Sequence, residues 1–401
     1  MGVSRVLVCV GRGKANVRDL PEGARVPTII SAENHWALWT VLLGAAVFGV
    51  WAERTRWGQR VSGAVLTIGV TFALSNLRVI PITAPAYDVV WSYFVPLAIP
   101  LLLLNADMRK ILREAGPTLL GFVAGAVGTV IGTLVAFHAI PLGSEGFKLA
   151  GIFCATYIGG SVNYVAASEA LNLRSGDLLT AGVAADNLVM TLYFLVLFAL
   201  PSIPWLAGRF AKRHHAGSEA IADDEEPVPL RVADLLASLA LAAALCAVGY
   251  GVAAALGWVH AGILVVTALA VALATLFPGP LARLCGASEL GTILMMVFFA
   301  VIGASANIGV VLREGPILFV FAAVILLIHL AFILLAGWLL KLDLAEVVIA
   351  SNANMGGPTT AAAMATARRW KTLVTPAILC GTLGYAVATF IGAALGRWLA
   401  P

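Results

Sequence analysis

The sequence predicts an all-α polytopic membrane protein with the inverted-repeat fold of a secondary transporter: about ten full spans plus two Gly-Gly-broken re-entrant segments, twelve membrane segments in all. Three observations lead there. Of 401 residues, 61% are hydrophobic and 11% charged, where a soluble chain carries about 25% charged. The apolar residues fall in runs of about 20, the length that crosses a bilayer as a helix. Two sequence landmarks recur in the same order about 200 residues apart.

Taken in order, residues 1–35 hold Arg5, Arg12, Lys14, Arg18 and Arg25 around an apolar VLVCV that is too short for a secretion signal. They read as a disordered basic tail, either a transit-type extension or an overlong start. Apolar runs then mark segments at 36–51, 61–80, 88–104, 117–140, 147–170 and 178–200, and again at 232–256, 259–277, 289–304, 316–340, 345–366 and 372–397. Pro96 and Pro100 should kink the third, and Pro376 the twelfth. Between the sixth and seventh, RFAKRHH is followed by the acidic run from Asp223 to Glu226, a solvated cytoplasmic linker. The predicted organisation is a tail (1–35), a first membrane repeat (36–205), a linker (206–231) and a second, inverted repeat (232–401).

The repeat rests on LREAGPTLLGF at Leu112 to Phe122 against LREGPILFVF at Leu312 to Phe321, and IGGSVNYVAASEA at Ile158 against MGGPTTAAAMATA at Met355. Small-residue helices resemble one another by composition, but two landmarks in one order at nearly one offset argue for duplication. Loop charges orient the copies. If all twelve segments cross, Lys and Arg divide almost evenly. If the fifth and eleventh instead enter and return on one side, fifteen lie on one face and only Arg78, Lys148, Arg174, Arg313 and Arg397 on the other, the asymmetry that positive-inside orientation requires. Five crossings then separate equivalent points, and an odd number inverts the second copy. Placing the tail's charges outside weakens the asymmetry without reversing it.

Non-helical backbone at membrane depth is tolerated only where protein covers it or water reaches it. Gly159 and Gly160, and Gly356 and Gly357, interrupt apolar segments, and the half-helix that follows points its N–H groups and positive dipole end at the break. Around them stand Ser161, Asn163 and Tyr164 in one copy and Ser351, Asn352, Asn354, Thr359 and Thr360 in the other. Broken segments at matching places of inverted halves point to a transporter's central site. The competing reading is close helix packing, which suits the G-x-x-x-G pairs Gly121/Gly125, Gly128/Gly132 and Gly392/Gly396 better than adjacent glycines. Asp186 is the carboxylate well inside a complete span, with Asn187, Thr180 and Thr191 on the same helix. A group at that depth usually faces a cavity, so it is the candidate for coupling a proton or sodium ion, against a structural hydrogen bond as the alternative. Asp107 and Asn307 read as helix caps.

The composition excludes other classes. Net charge is +4 with both signs interspersed, which favours no nucleic-acid partner. The five cysteines lie far apart without C-x-x-C spacing, and His138 and His329 lack i, i+4 partners, so no disulfide framework or metal site is expected. No P-loop, H-E-x-x-H or G-x-S-x-G occurs, and an enzyme is not expected. The expected function is a gradient-driven carrier of a small anionic or zwitterionic organic solute, with no cofactor beyond a coupling Na⁺ or H⁺. The alternative is a channel or a non-transporting membrane sensor. The expected location is a bacterial-type plasma (inner) membrane, or an organellar membrane if the tail is a transit peptide.

At IGGSVNYVAASEAL, SNANMGGPTTAAAMATARRW and VVWSYFVPLAIPLLLLNADMRKILREAGP, the chain closely resembles the integral membrane family known as domain of unknown function 819, over about residues 30–400. It is more distantly similar to sodium/glutamate symporters and citrate carriers, whose re-entrant loops also carry Gly-Gly followed by small and hydroxylated residues. That likeness implies an elevator-type carrier with a moving transport domain, a scaffold and a homodimer. Here Pro358 and Thr359 follow the second glycine pair, so no substrate carries over.

Overall fold

A computed structural model describes residues 28–55, 63–211, 230–258 and 261–401. Most of the basic tail and of the linker, with Arg56, Arg60, Lys212 and Arg213, lie outside the described residues. The fold is helical throughout, and among the described residues the β contact is an isolated parallel bridge between Ala211 and Asp343. The first half supplies α1 (His35–Glu53), α2 (Gly63–Asn76), α3 (Pro85–Leu103), α4 (Met108–Glu114), α5 (Gly116–Ala139), α6 (Gly146–Gly159), α7 (Ser161–Ala170) and α8 (Gly176–Ala199). The second supplies α9 (Val232–Ala255), α10 (Gly262–Leu276), α11 (Ala287–Ala304), α12 (Ile308–Leu339), α13 (Leu344–Ala367) and α14 (Val374–Trp398). Element order recurs: α1, α2, α3 and α5 answer to α9, α10, α11 and α12, the pair α6–α7 to α13, and α8 to α14.

Among the described residues eight helices, α1, α3, α5, α8, α9, α11, α12 and α14, are long and apolar enough to cross a membrane. The other two of the ten full spans read from the sequence fall on α2 and α10. Their described parts, 14 and 15 residues, are about 21 and 22 Å long, against a hydrocarbon core of about 30 Å. Local chemistry ends them. After α2 the Asn76 amide donates to the Phe72 and Ala306 carbonyls and its oxygen accepts from Ile308 N–H, while Arg78 turns at φ 61°. After α10 comes Phe277-Pro278, and a residue before proline is disfavoured in helix.

Packing sorts the helices into two bundles, and each half contributes to both. In one, α1, α2 and α3 pack with α9, α10 and α11; in the other, α5 to α8 pack with α12 to α14. Large apolar side chains such as Trp36, Val47, Leu195 and Val232 point outward. Helices that are apolar on every side belong in lipid or a deep core. α3 is irregular at a π turn, Val90–Phe94, just before Pro96 and Pro100, whose missing N–H groups break the regular ladder. Pro376 falls in the first turn of α14, where a missing N–H costs nothing, so it is not a kink. Asp107 and Asn307 cap α4 and α12 by accepting from Arg109 and Gly309 N–H.

The glycine pairs of G-x-x-x-G spacing lie at close crossings. Gly128 and Gly132 face Phe332 and Ile325 of α12, and Gly392 and Gly396 face Gly151 and Phe147 of α6. Cβ atoms there would collide with backbone or ring, so these glycines set how near the helices come.

Both Gly-Gly segments break and double back. Gly160 has φ 77° and ψ −175°, and Gly357 has φ 74° and ψ −165°, a region open essentially to glycine alone. Around the first break, Lys148 Nζ lies 3.3 Å from the Asn172 carbonyl, and the Phe153 and Tyr164 rings are 6.3 Å apart. Around the second, Asn352 Nδ2 lies 3.4 Å from Met364 Sδ, a separation that twelve residues of straight helix would make about 18 Å. The two hairpins open at opposite ends of α8. The base of the first adjoins the turn into Gly176. The base of the second carries Arg368 over the Phe198 ring at 5.6 Å, and there Leu342 O accepts from Ala211 N–H.

Candidate functional site

The two breaks touch. A Cβ on Gly160 would meet Gly357 N at 3.3 Å and Met355 O at 3.5 Å. The contact joins residues at matching repeat positions. Nearby, where α5 and α12 cross, Thr129 Oγ1 is 2.9 Å from His329 Nδ1.

Around the breaks the polar side chains are mostly occupied. Asn163 is buried; its amide donates to Gly159 O at 2.8 Å and Gly384 O at 3.4 Å, and its oxygen accepts from Thr389 at 2.7 Å. It therefore ties the first hairpin to α14. Asn352 accepts from Thr360 Oγ1 at 2.7 Å and so staples the two arms of the second hairpin together. Asn354 donates to Phe122 O and Ile158 O, bridging the second hairpin to α5 and to the first, while its buried Oδ1 faces Gly125 without a hydrogen-bond partner. Gly159 and Gly356 are helical, each one residue ahead of its break. Gly356 abuts the Phe194 ring and Gly357 the Tyr385 ring. Ser161 and Thr359 are exposed and Thr360 half-buried. The surface offered at the tips is thus made of two hydroxyls, glycine backbone and the first N–H groups of two half-helices. Such groups can hold a neutral, anionic or zwitterionic polar solute by hydrogen bonding.

Asp186 sits on α8 beside the first hairpin, 9% exposed. The Tyr157 hydroxyl, one turn before the Gly160 break, faces its carboxylate. Asp186 Oδ1 and Tyr157 Oη are both buried, with no hydrogen-bond partner apart from one another. Asn187 donates to Val183 O within its own helix and Thr180 to Ile302 O of α11; the Thr191 side chain lies outside the described ones. Further along α8, Tyr193 Oη is 2.7 Å from Ser351 Oγ, which is 3.0 Å from His329 Nε2. His329 Nδ1 lies 2.8 Å from Gly125 O. A carbonyl only accepts, so Nδ1 carries the proton and Nε2 accepts from Ser351. This chain of groups links four helices and is satisfied throughout.

Tyr157, Thr129, His329, Tyr193 and Thr389 escaped the sequence reading as partners of the glycine breaks. One of them carried a signal: Tyr157 occupies the repeat position of Asn354. Groups of three or more His, Cys, Asp or Glu able to hold a metal are absent among the described residues.

Comparison with known proteins agrees with this architecture. The family described as "Protein of unknown function (DUF819)" matches residues 40–401. The chain is 35% identical over 390 residues to the "Uncharacterized membrane protein YjcL" of Bacillus subtilis (strain 168), covering 92% of this chain and 98% of that one. An integral membrane protein built of apolar helices, this chain belongs to the DUF819 family.

Proposed function

We propose that this protein is a secondary active transporter for a small anionic or zwitterionic organic solute, coupled to Na⁺ or H⁺. The observation that carries the reading is the contact of Gly160 with Gly357 between hairpins that open at opposite ends of α8. Two breaks meeting deep inside apolar helices place backbone polar groups where lipid would not satisfy them. A gap that admits a solute and water is the setting in which such groups are retained.

In this reading the halves are inverted repeats related by an axis that passes by the Gly160/Gly357 contact, and the hairpins are re-entrant from opposite faces of the bilayer. The bundle holding the hairpins is the moving transport domain of an elevator, and the other is its scaffold. Solute binds at the tips through Ser161, Thr359, Thr360 and the backbone at Gly160 and Gly357. Asn163, Asn352 and Asn354 hold those tips in shape, and Asp186 takes the coupling ion. The excess of Lys and Arg on the face where the second hairpin opens supports placing that face in the cytoplasm of a bacterial plasma membrane.

Uptake into proteoliposomes under imposed sodium and proton gradients tests the proposal. Flux that depends on a gradient is expected for at least one member of a broad panel of small organic acids and amino acids. Flux indifferent to every gradient across that panel contradicts it.

A further inference from the structure

We infer that the coupling ion is a proton and that its seat is the Asp186–Tyr157 pair, not a sodium cage. The inference deepens the carrier reading and rests on it for the word coupling; the site itself stands on the following geometry.

Asp186 and Tyr157 bring two buried oxygens face to face, with no other side chain or carbonyl bonded to either. A bare carboxylate shut away from water must be neutralised, and no Lys, Arg or His pairs with Asp186 among the described residues. The remaining titratable groups on the packed elements are spoken for. Tyr164 of the first hairpin also lies near Asp186, but its hydroxyl donates to Leu179 O at 2.9 Å. His329 of α12 is committed to Gly125 and Ser351, at the level of Tyr193, about 10 Å along α8. Arg313 and Glu314 pair at the start of α12, and Glu346 of α13 accepts from Asp343 N–H in a capping box at the far end of that helix. Glu289 stands in the first turn of α11 beside Ser288.

A hard cation takes about six oxygen ligands, and the described surroundings of Asp186 do not offer them. Thr180 is bonded to Ile302 O, Tyr164 to Leu179 O, and the α8 carbonyls lie within an uninterrupted helix. A proton needs only what is there. On the Asp186 carboxyl it makes an O–H that donates to Tyr157 Oη; when it leaves, the Tyr157 hydroxyl donates to the carboxylate instead. Tyr157 stands three residues before Gly160, so reversing that bond bears on the last turn leading to the hairpin tip. The step is a bare proton transfer between solvent and carboxylate.

Infrared difference spectroscopy on the full-length protein in lipid nanodiscs, scanned over pH, reads this without any solute. Wild type is expected to show a protonated-carboxyl band that shifts in deuterated water and does not move when choline chloride is exchanged for sodium chloride. The band is expected to be lost in Asp186→Asn and displaced in Tyr157→Phe. Loss of the band on adding sodium, or no band sensitive to either substitution at any pH, overturns the proposal. Should Asp186→Asn fail to fold, the wild-type sodium exchange and the Tyr157→Phe displacement still decide it. A protein that shows the band yet drives no flux in proteoliposomes keeps the proton site and loses the carrier; gradient-driven flux without the band does the reverse.

Discussion

Gly160 and Gly357 are where one side chain too many would matter most. Each holds a backbone conformation closed to other residues, and each has the opposite break or the Tyr385 ring within van der Waals reach. Gly160→Val and Gly357→Val are expected to abolish uptake in proteoliposomes while the protein is still recovered folded by size exclusion; normal uptake in both would reduce the breaks to packing features. Asn163 plays a different part. Its oxygen depends on Thr389, so Thr389→Val leaves a buried acceptor unpaired and is expected to cost about 1–3 kcal/mol. That loss should register as a lowered unfolding temperature, whereas a change within error would show that Asn163 has another partner. The adjacent glycines were legible as breaks because two in a row interrupt a helix, where glycines four apart line one of its faces. That Asn163, Asn352 and Asn354 spend their amides on holding hairpins was not, because residue type alone does not say which way a side chain turns.

Among helices, spacing of small residues proved informative and length did not. G-x-x-x-G at Gly392 and Gly396 announced the close crossing of α14 with the first hairpin, where Gly392 meets Gly151 O and Ala155. Gly392→Leu overfills that contact and is expected to destabilise the protein by about 1–3 kcal/mol, measured by thermal unfolding in detergent; unchanged stability would mean the two helices can part freely. The C-terminal ends of α2 and α10 were not legible, because the apolar runs continue past them, into the turn after Asn76 and up to Pro278. Hydropathy registers composition, whereas the helix stops where a side-chain cap or a proline removes the next backbone bond.

Taken as one body, the chain does not fold half by half. The first three helices of each half form one bundle and the remainder the other, an exchange that no window along the sequence reveals, because it depends on which faces meet across about 200 residues. Gly160 and Gly357, at matching places of the two Gly-Gly landmarks, meet across that distance. The doubling back of each Gly-Gly segment leads to a topology that impermeant labelling reads directly. Single cysteines placed at Glu145, Asn172, Lys341 and Arg369, in a background lacking the native cysteines, can be probed with a membrane-impermeant thiol reagent on sealed vesicles of known orientation. Two hairpins entering from opposite faces put positions 145 and 172 together on one side and 341 and 369 together on the other; labelling of 145 and 172 from different sides would mean that the first segment crosses the bilayer, and the meeting of two re-entrant tips would have to be abandoned.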